Sequence, residues 1–295
     1  MKKLLPILLL AFLLTACGQS DPPAQVAATT LPVYDFTFRL CQGTGITVTR
    51  LVTEQVSCLH DYSLNVRQVK AAEAADLVVI SGAGLEDFLS DVLEDCPTVD
   101  ASQGIDLLCT EEAHHHEEEH EGHHHDADPH IWLSPVNAKI MAGNICEGLI
   151  GQYPEHADTF RENLASLQAD LDVLYNYGRS MLSDLSCRNL ITFHDGFSYF
   201  ADCFDLTIVE AAEEESGREA SAQELIHLIR EAEARSLPAI FTEKNGSVSA
   251  AEIISRETGC AVYTLDMAMS GDGCPGDSYL EAMYQNINTV REALK

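Results

Sequence analysis

The sequence predicts an α/β protein of two lobes, each built on a mostly parallel sheet, joined by one long rigid helix. Short runs rich in β-branched residues alternate with helical runs in both halves of the chain, a pattern typical of parallel sheets. At 295 residues the chain is too long for most single cores, so two lobes are expected. Between them, residues 157–185 repeat leucine at helical spacing and would extend roughly 40 Å as one helix. An interrupted pair of helices is the alternative there.

The first residues have the features of a bacterial lipoprotein signal. Lys2 and Lys3 precede an apolar run that is too short to span a bilayer comfortably. The run ends in Leu14-Thr15-Ala16-Cys17, which resembles a lipobox and implies removal of residues 1–16 and lipidation of the Cys17 sulfur. Residues 17–25 would then tether a soluble body to the cell membrane, outside the cytoplasm. An ordinary signal peptide is the alternative.

The two lobes are predicted at residues 26–153 and 188–295, with the linking helix at 154–187. Pro32 can open a first helix, because its backbone angle suits the start of a helix. The strands are expected at 26–31, 45–53, 76–80, within 98–108, and at 189–193, 206–209, 238–242 and 261–265. The helices are expected at 33–40, 66–75, 86–93, 136–153, 196–204, 221–234 and 249–258.

A histidine-rich stretch at residues 111–126 interrupts the first lobe. Its seven histidines are interleaved with glutamates, which no packed core can absorb, so a solvated loop is expected. Imidazole nitrogen and carboxylate oxygen suit zinc and its neighbours among the transition metals, so the loop can capture metal. Its histidines are His114, His115, His116, His120, His123, His124 and His125. The stretch leads into a proline-bounded turn that holds His130 beside Trp132, the one tryptophan of the chain.

Further candidate metal ligands follow predicted strands. His60 comes after the second strand, His194 ends the strand at 189–193, and Asp266 follows the strand at 261–265. Ligands of open parallel sheets bind beyond the carboxyl ends of the strands, so these side chains and His130 are expected to converge in the cleft between the lobes. Glu243 also follows a strand, and it can replace Asp266 as the fourth ligand or orient another one.

Composition narrows the class of partner and the compartment. A formal net charge of -30 argues against nucleic acid as a partner and favours cations. Of the 10 cysteines, those that remain after Cys17 suit an oxidising compartment and disulfide bonds. Cys96 with Cys109, and Cys260 with Cys274, are candidate pairs, but the sequence leaves the connectivity open.

Two formal motif matches carry little weight. Residues 116–120 and 120–124 match the H-E-x-x-H zinc signature of metalloproteases, but such matches arise by chance in a tract of His and Glu. Residues 271–276 match G-x-G-x-x-G, yet the chain ends before the βαβ unit that a dinucleotide site needs. Neither match predicts an enzyme.

Several segments together resemble the zinc-specific solute-binding lipoproteins of bacterial ABC transporters, of the ZnuA/AdcA type. The resemblance extends over nearly the whole mature chain. The segments are Thr30-Leu31-Pro32-Val33-Tyr34-Asp35-Phe36, His60-Asp61-Tyr62, Ala75-Asp76-Leu77-Val78, the acidic histidine-rich insertion, residues 128–135, Ile191-Thr192-Phe193-His194-Asp195-Gly196-Phe197, Ile240-Phe241-Thr242-Glu243 and Thr264-Leu265-Asp266.

The resemblance implies a metal held between the lobes by His60, His130, His194 and Asp266. It also implies that histidine at position 194 distinguishes zinc-type members from manganese-type members, which carry glutamate there. The chain departs from the family pattern after His60-Asp61-Tyr62, where Ser63-Leu64-Asn65 replaces a proline-containing continuation. It departs again where Met267-Ala268-Met269 follows Asp266, which leaves Glu243 open as the fourth ligand.

These features predict a monomeric extracytoplasmic receptor that captures Zn²⁺ as cargo and delivers it to an ABC permease, without catalysing a reaction. A receptor for manganese or another divalent metal is one alternative. A second is a secreted zinc hydrolase with the three histidines as ligands and Glu243 as the base. A third is a surface metal buffer or adhesin in which the histidine-rich loop is the principal site.

Overall fold

The computed structural model describes residues 25–54, 59, 62–108, 127–212, 220–271 and 275–295. Within these ranges, two four-stranded sheets form the centres of two lobes, and a long helix lies between them in the chain. The predicted fold is therefore confirmed. The signal peptide, Cys17, His60 and the histidine-rich stretch lie outside the described residues.

The first sheet is parallel, with strand order β2-β1-β3-β4. Its two central strands, β1 and β3, are almost fully buried, and both are nearly continuous runs of apolar residues, as expected of strands covered on both faces. Their carboxyl ends lie at one edge, so that Thr29 and Ser81 follow neighbouring strands there. The strands are β1 (Val26–Ala28), β2 (Val48–Arg50), β3 (Leu77–Ile80) and β4 (Thr98–Asp100).

The second sheet repeats this arrangement with strand order β6-β5-β7-β8, again all parallel. Three residues that follow its strands are therefore brought to one edge: His194 after β5, Lys244 after β7 and Asp266 after β8. The strands are β5 (Asn189–Thr192), β6 (Thr207–Ala211), β7 (Ala239–Glu243) and β8 (Ala261–Leu265).

The helices begin at recognisable signals. The side chain of Asn65 caps α2 and that of Ser221 caps α7, each in a capping box. The helices are α1 (Leu31–Leu40), α2 (Val66–Glu73), α3 (Ser90–Leu93), α4 (Pro135–Gln152), α5 (Ala157–Met181), α6 (Ser198–Cys203), α7 (Ala222–Ala234), α8 (Ser249–Thr258) and α9 (Ser278–Leu294). In the described part of the chain, none of them combines the length and the apolar character that a membrane span requires.

Helix α5 is the predicted link between the lobes. It has 25 residues and buries Phe160, Leu167, Leu171 and Leu174, one apolar stripe at helical spacing. The stripe belongs to a core that continues from the first sheet to the second. A short 3-10 turn at Pro154–His156 precedes the helix, which ends at Met181 rather than at residue 185.

Helix α9 was not predicted from the sequence, and it ties the lobes together. Its first turn is capped by Asp35 of α1, whose carboxylate accepts hydrogen bonds from the Gly276 and Tyr279 backbone N–H groups at 3.0 and 2.8 Å. Burial raises the pKa of Asp35, and these two hydrogen bonds oppose that rise. The Tyr279 ring also packs edge-on against Phe36, with 4.9 Å between the ring centroids.

Several predicted bounds were wrong in the first lobe. The strand predicted at residues 26–31 ends at Ala28, because Leu31 and Pro32 already belong to α1. The strand material predicted within 98–108 is limited to three residues, and the helix predicted at 86–93 is a 3-10 turn at Asp87–Leu89 followed by α3. These bounds were placed too far along the chain because the apolar residues of the sequence continue beyond the point where each strand ends.

Candidate metal site

His130 is fixed by the residue two positions before it. One carboxylate oxygen of Asp128, Oδ1, accepts hydrogen bonds from the His130 backbone N–H at 2.9 Å and from its ring Nδ1 at 2.7 Å. Because the carboxylate oxygen is the acceptor, Nδ1 donates, and in the neutral imidazole the lone pair then lies on Nε2. The residue is 1% exposed, so its ring cannot easily turn away. His130 therefore offers a pre-oriented nitrogen ligand.

His194 of the second lobe meets this nitrogen. Its Nε2 lies 3.3 Å from Nε2 of His130, and the two rings are nearly perpendicular. Two nitrogens bound at about 2.0 to 2.1 Å to one tetrahedral zinc would be about 3.3 to 3.4 Å apart. The pair therefore fits two corners of a zinc coordination sphere, and the two corners come from different lobes.

Gly196 makes this approach possible. A Cβ at that position would lie 2.7 Å from Cδ2 of His194, 3.0 Å from Nδ1 of His130 and 2.5 Å from Cε of Met267. A side chain there would therefore force Met267 and at least the His194 ring to shift. The present arrangement of the two imidazoles thus depends on glycine at this position, which was not predicted from the sequence.

Glu243 lies on the far side of His194, at the end of β7. Its Oε2 is 3.9 Å from Nδ1 of His194, which is within ion-pair range but too long for a hydrogen bond. Glu243 is 9% exposed and packs against the backbone turn at Gly246. It can influence His194 electrostatically from this position.

Asp266 is held by its own surroundings. Its Oδ1 accepts a hydrogen bond from the Ala268 backbone N–H at 2.8 Å, and its Oδ2 accepts one from Lys244 Nζ at 2.9 Å. Asn286 of α9 bonds both its backbone N–H and its carbonyl. The carboxylate is thus fixed at the sheet edge, paired with a lysine.

The structure brings together two of the predicted ligands, His130 and His194. Among the residues it describes, no group of three or more His, Cys, Asp or Glu side chains is arranged so that it could hold a metal ion. His60 falls outside the described ranges, although its neighbour Leu59 is buried in the core of the first lobe. The seven histidines of the loop also fall outside them, as do Cys109 and Cys274 of the candidate disulfides.

The segment that carries His130 is fastened to the second lobe at three points. The Trp132 indole N–H donates to the Met267 carbonyl at 2.8 Å, and the Tyr279 hydroxyl donates to the Trp132 carbonyl at 2.7 Å. The Tyr199 hydroxyl donates to the Asp128 carbonyl at 3.0 Å. These bonds hold the two histidine-bearing segments in register.

The ends of the histidine-rich stretch are also located beside His130. The Asp128 backbone N–H donates to the Leu108 carbonyl at 2.8 Å, and the Leu108 N–H donates to the Tyr199 hydroxyl at 2.9 Å. The chain therefore departs for this stretch, and returns from it, next to the paired histidines.

Glu86 is a buried acid at the edge of the first sheet. Its carboxylate accepts hydrogen bonds from the Thr29 hydroxyl and from the backbone N–H groups of Ser81 and Gly82, at 2.6 to 3.0 Å. Burial raises its pKa to about 7, although these three donors favour the ionised form. The nearby carboxylate of Asp100 raises it further.

Comparison with known proteins identifies the family. The family model described as "Zinc-uptake complex component A periplasmic" matches residues 26–293. The chain belongs to this family. Its members are solute-binding receptors of ABC transporters that act outside the cytoplasm, so the prediction of a metal-binding receptor rather than an enzyme is confirmed. The zinc hydrolase alternative has no support from this membership.

Individual relatives agree with this membership. The chain is 31% identical to the high-affinity zinc uptake system protein ZnuA of Bacillus subtilis, covering 96% of this chain and 94% of the relative. It is 29% identical to a putative metal-binding protein of Treponema pallidum, covering 96% and 93%. It is 28% identical to the zinc-binding lipoprotein AdcA of Streptococcus pneumoniae, of which it spans 61%.

Solved structures agree with the fold. A crystal structure of ZnuA superposes with a TM-score of 0.79 at 29% identity and covers 92% of this chain and all of the ZnuA chain. A ZnuA deletion mutant with zinc bound has a TM-score of 0.75 at 28% identity, covering 92% of this chain and 98% of that chain. FpvC of Pseudomonas aeruginosa in complex with Ni²⁺ shows the same fold, with a TM-score of 0.77 at 23% identity. The match covers 91% of this chain and 96% of the FpvC chain.

Proposed function

We propose that this chain is an extracytoplasmic zinc receptor that binds one Zn²⁺ between its lobes and passes it to an ABC permease. The observation that carries the proposal is the pair of Nε2 atoms from opposite lobes, 3.3 Å apart. A tetrahedral zinc requires this separation, and Asp128 has already fixed the tautomer of one of the two rings.

The proposed ligand set is His60, His130, His194 and Asp266. Three neutral imidazoles and one carboxylate make a closed tetrahedral site, suited to binding rather than to catalysis, because no position stays open for an activated water. Glu243 is the alternative fourth ligand. Its distance of 3.9 Å from His194 Nδ1 favours a supporting role for it.

Zinc is favoured over manganese by the nitrogen donors. Imidazole suits zinc, whereas manganese prefers carboxylate and water oxygens, and His194 supplies nitrogen where an oxygen donor would favour manganese. The names of the ZnuA and AdcA relatives point to the same metal. Other relatives are named for other metals, among them the iron-binding protein YfeA of Yersinia pestis at 27% identity.

The histidine-rich stretch is proposed as an auxiliary collector that raises the local zinc concentration. Its two ends lie beside His130, so metal released from it would be close to the cleft. We further propose that Cys17 carries the lipid anchor, that the mature receptor is a monomer, and that residues 26–153 and 188–295 are its two metal-binding lobes.

Elemental analysis tests the proposal against the metal-buffer alternative. Residues 111–126 are deleted and replaced by a short Gly-Ser linker, which the hydrogen bond between Asp128 and Leu108 allows. We expect one zinc per chain to remain after dialysis. The matched control keeps the loop length and replaces its seven histidines by asparagine, and it should retain the same single zinc.

Two results would contradict the proposal of a zinc receptor. Loss of all bound zinc on loop deletion would identify the loop as the principal site, as in the buffer hypothesis. Preferential retention of manganese from an equimolar mixture of the two metals would favour the manganese alternative.

A further inference from the structure

Lys244 lies at the edge of the second sheet, directly beside Asp266. Strands β7 and β8 pair in parallel register with Glu243 opposite Leu265, so the residues that follow are neighbours. The Lys244 backbone N–H donates to the Leu265 carbonyl at 2.8 Å, which fixes the start of the lysine side chain. Its Nζ then reaches Oδ2 of Asp266 at 2.9 Å.

The two partners differ in mobility. The Asp266 side chain is 13% exposed, and its other oxygen is held by the Ala268 backbone N–H, whereas the Lys244 side chain is 51% exposed. A half-exposed lysine on a flexible stem can turn into solvent at little cost, and the Asp266 carboxylate, held at one oxygen by the Ala268 backbone N–H, can then turn its other oxygen toward a cation. The lysine is therefore the partner that can be replaced.

We propose that Lys244 is a specificity-determining residue that competes with the incoming metal for the Asp266 carboxylate. This proposal rests on the proposed function and adds the reason for its selectivity. Metal binding transfers Asp266 from the ammonium group to the cation, and metal release returns it. The acid at the sheet edge is paired in both states, so it does not attract other cations strongly.

The competition acts unequally on different metals. Zinc draws most of its binding from imidazole nitrogens, and it loses little when one oxygen ligand is contested. Every cation that takes the Asp266 carboxylate must displace Lys244 at the same cost. Zn²⁺ can also bind to the imidazoles while Lys244 keeps the carboxylate, whereas Mn²⁺, Mg²⁺ and Ca²⁺ depend on carboxylate oxygens and cannot avoid that cost, so Lys244 disfavours them more. Lys244 thus works together with His194 to exclude the harder cations.

The test uses the full mature chain and the fluorescence of Trp132. This is the chain's one tryptophan, and its ring centroid lies 5.4 Å from that of His130, so it reports metal bound at His130. Zn²⁺ and Mn²⁺ are titrated into the wild type, Lys244→Met, Asp266→Asn and the double variant. A competing chelator is added where the affinity is too high to measure by direct titration. The same titrations in the background that carries asparagine at the seven loop histidines remove any contribution from the loop.

We expect Lys244→Met to tighten Zn²⁺ binding by about twofold to fivefold, the range of a partly exposed ion pair, and to tighten Mn²⁺ binding more. Asp266→Asn should weaken Zn²⁺ binding, and in that background Lys244→Met should have no further effect. Lys244→Arg, which keeps the charge, should not tighten binding. The control Lys139→Met removes a lysine that pairs with Asp172 at a different surface, and it should change nothing.

Three results would overturn the proposal. Equal tightening by Lys244→Met in the wild-type background and in the Asp266→Asn background would show a general charge effect. Unchanged Zn²⁺ affinity in Asp266→Asn would remove Asp266 from the ligand set while the receptor function stands. Failure of every variant and of the wild type to bind metal in equilibrium dialysis would end the receptor function itself.

Discussion

Two acids of the first lobe, Asp128 and Glu86, differ in their partners from two acids of the second lobe, Glu243 and Asp266. Asp128 and Glu86 are buried and receive hydrogen bonds from groups of their own lobe: Asp128 orients His130, and Glu86 fixes the turn at the edge of the first sheet. Glu243 and Asp266 lie at strand ends and face charged or titratable partners, His194 and Lys244. The first lobe thus holds a rigid imidazole in the proposed site, whereas the acids of the second lobe pair with side chains that carry or can accept a charge.

The largest effect is expected from removing either imidazole of the central pair. His130→Ala and His194→Ala should each weaken Zn²⁺ binding by more than about a hundredfold. Mutation of a residue that only hydrogen-bonds a metal ligand already lowers metal affinity by about 10- to 100-fold, so loss of the ligand itself should cost more. Trp132 fluorescence titration measures this in the full chain. His156→Ala, a histidine outside the cleft, is the control. If His194→Ala bound Zn²⁺ with wild-type affinity, His194 would not be a zinc ligand, and the second lobe would not contribute an imidazole to the site.

Glu86→Gln should reveal the role of the buried acid in the first lobe. Because folding raises the pKa of Glu86 from its ordinary value of 4.5 to about 7, the protonated form is favoured in the fold. The stability that this group contributes is complete below about pH 4.5 and is lost as the pH rises through about 7. Relative to Glu86→Gln, the free energy of unfolding of the wild type should fall by on the order of 3 kcal/mol as the pH rises between these limits.

Urea unfolding of both proteins at pH 4.5, 6 and 8 measures this difference. The pH dependence that comes from the other acidic residues is the same in both proteins, so it cancels in the difference between their free energies of unfolding. Glu162→Gln, at an exposed position on α5, is the control and should follow the wild type. A wild type that gains stability over Glu86→Gln as the pH rises would show that the three hydrogen-bond donors outweigh burial.

Asp128→Asn should affect affinity more than stability. The asparagine keeps the size of the side chain but can present an amide group to Nδ1, so the ring of His130 loses its fixed tautomer. We expect Zn²⁺ binding to weaken by about 10- to 100-fold, the usual cost of losing a partner behind a metal ligand. Fluorescence titration gives the affinity, and thermal unfolding of the metal-free protein should change little in comparison. Unchanged affinity would show that packing alone orients the ring.

Glu243→Gln should have the smallest effect, within about fivefold on Zn²⁺ affinity, because its oxygen is beyond hydrogen-bond distance from His194. The same titration measures it, with Asp266→Asn as the companion variant. A loss of a hundredfold for Glu243→Gln, together with a small loss for Asp266→Asn, would exchange their roles and make Glu243 the fourth ligand.

The prediction from sequence succeeded best where the signal is local. Strands β7 and β8 and helix α8 were expected within one residue of where they lie, because each is a short apolar run between turn residues. Helix α9 was missed, although Tyr279, Met283, Ile287 and Val290 repeat at helical spacing and its buried face was readable. That miss hid the attachment of α9 to the first lobe.

The sequence by itself determined the alternation of strands and helices, the long link and the histidines that follow strands, because periodicity records which face of each element is buried. Only the tertiary structure decided which side chains meet: His130 with His194, Lys244 with Asp266, and Asp35 with the start of α9. These contacts depend on the order and register of the strands and on the docking of the lobes. Residues far apart in the chain create them jointly, so no local pattern contains them.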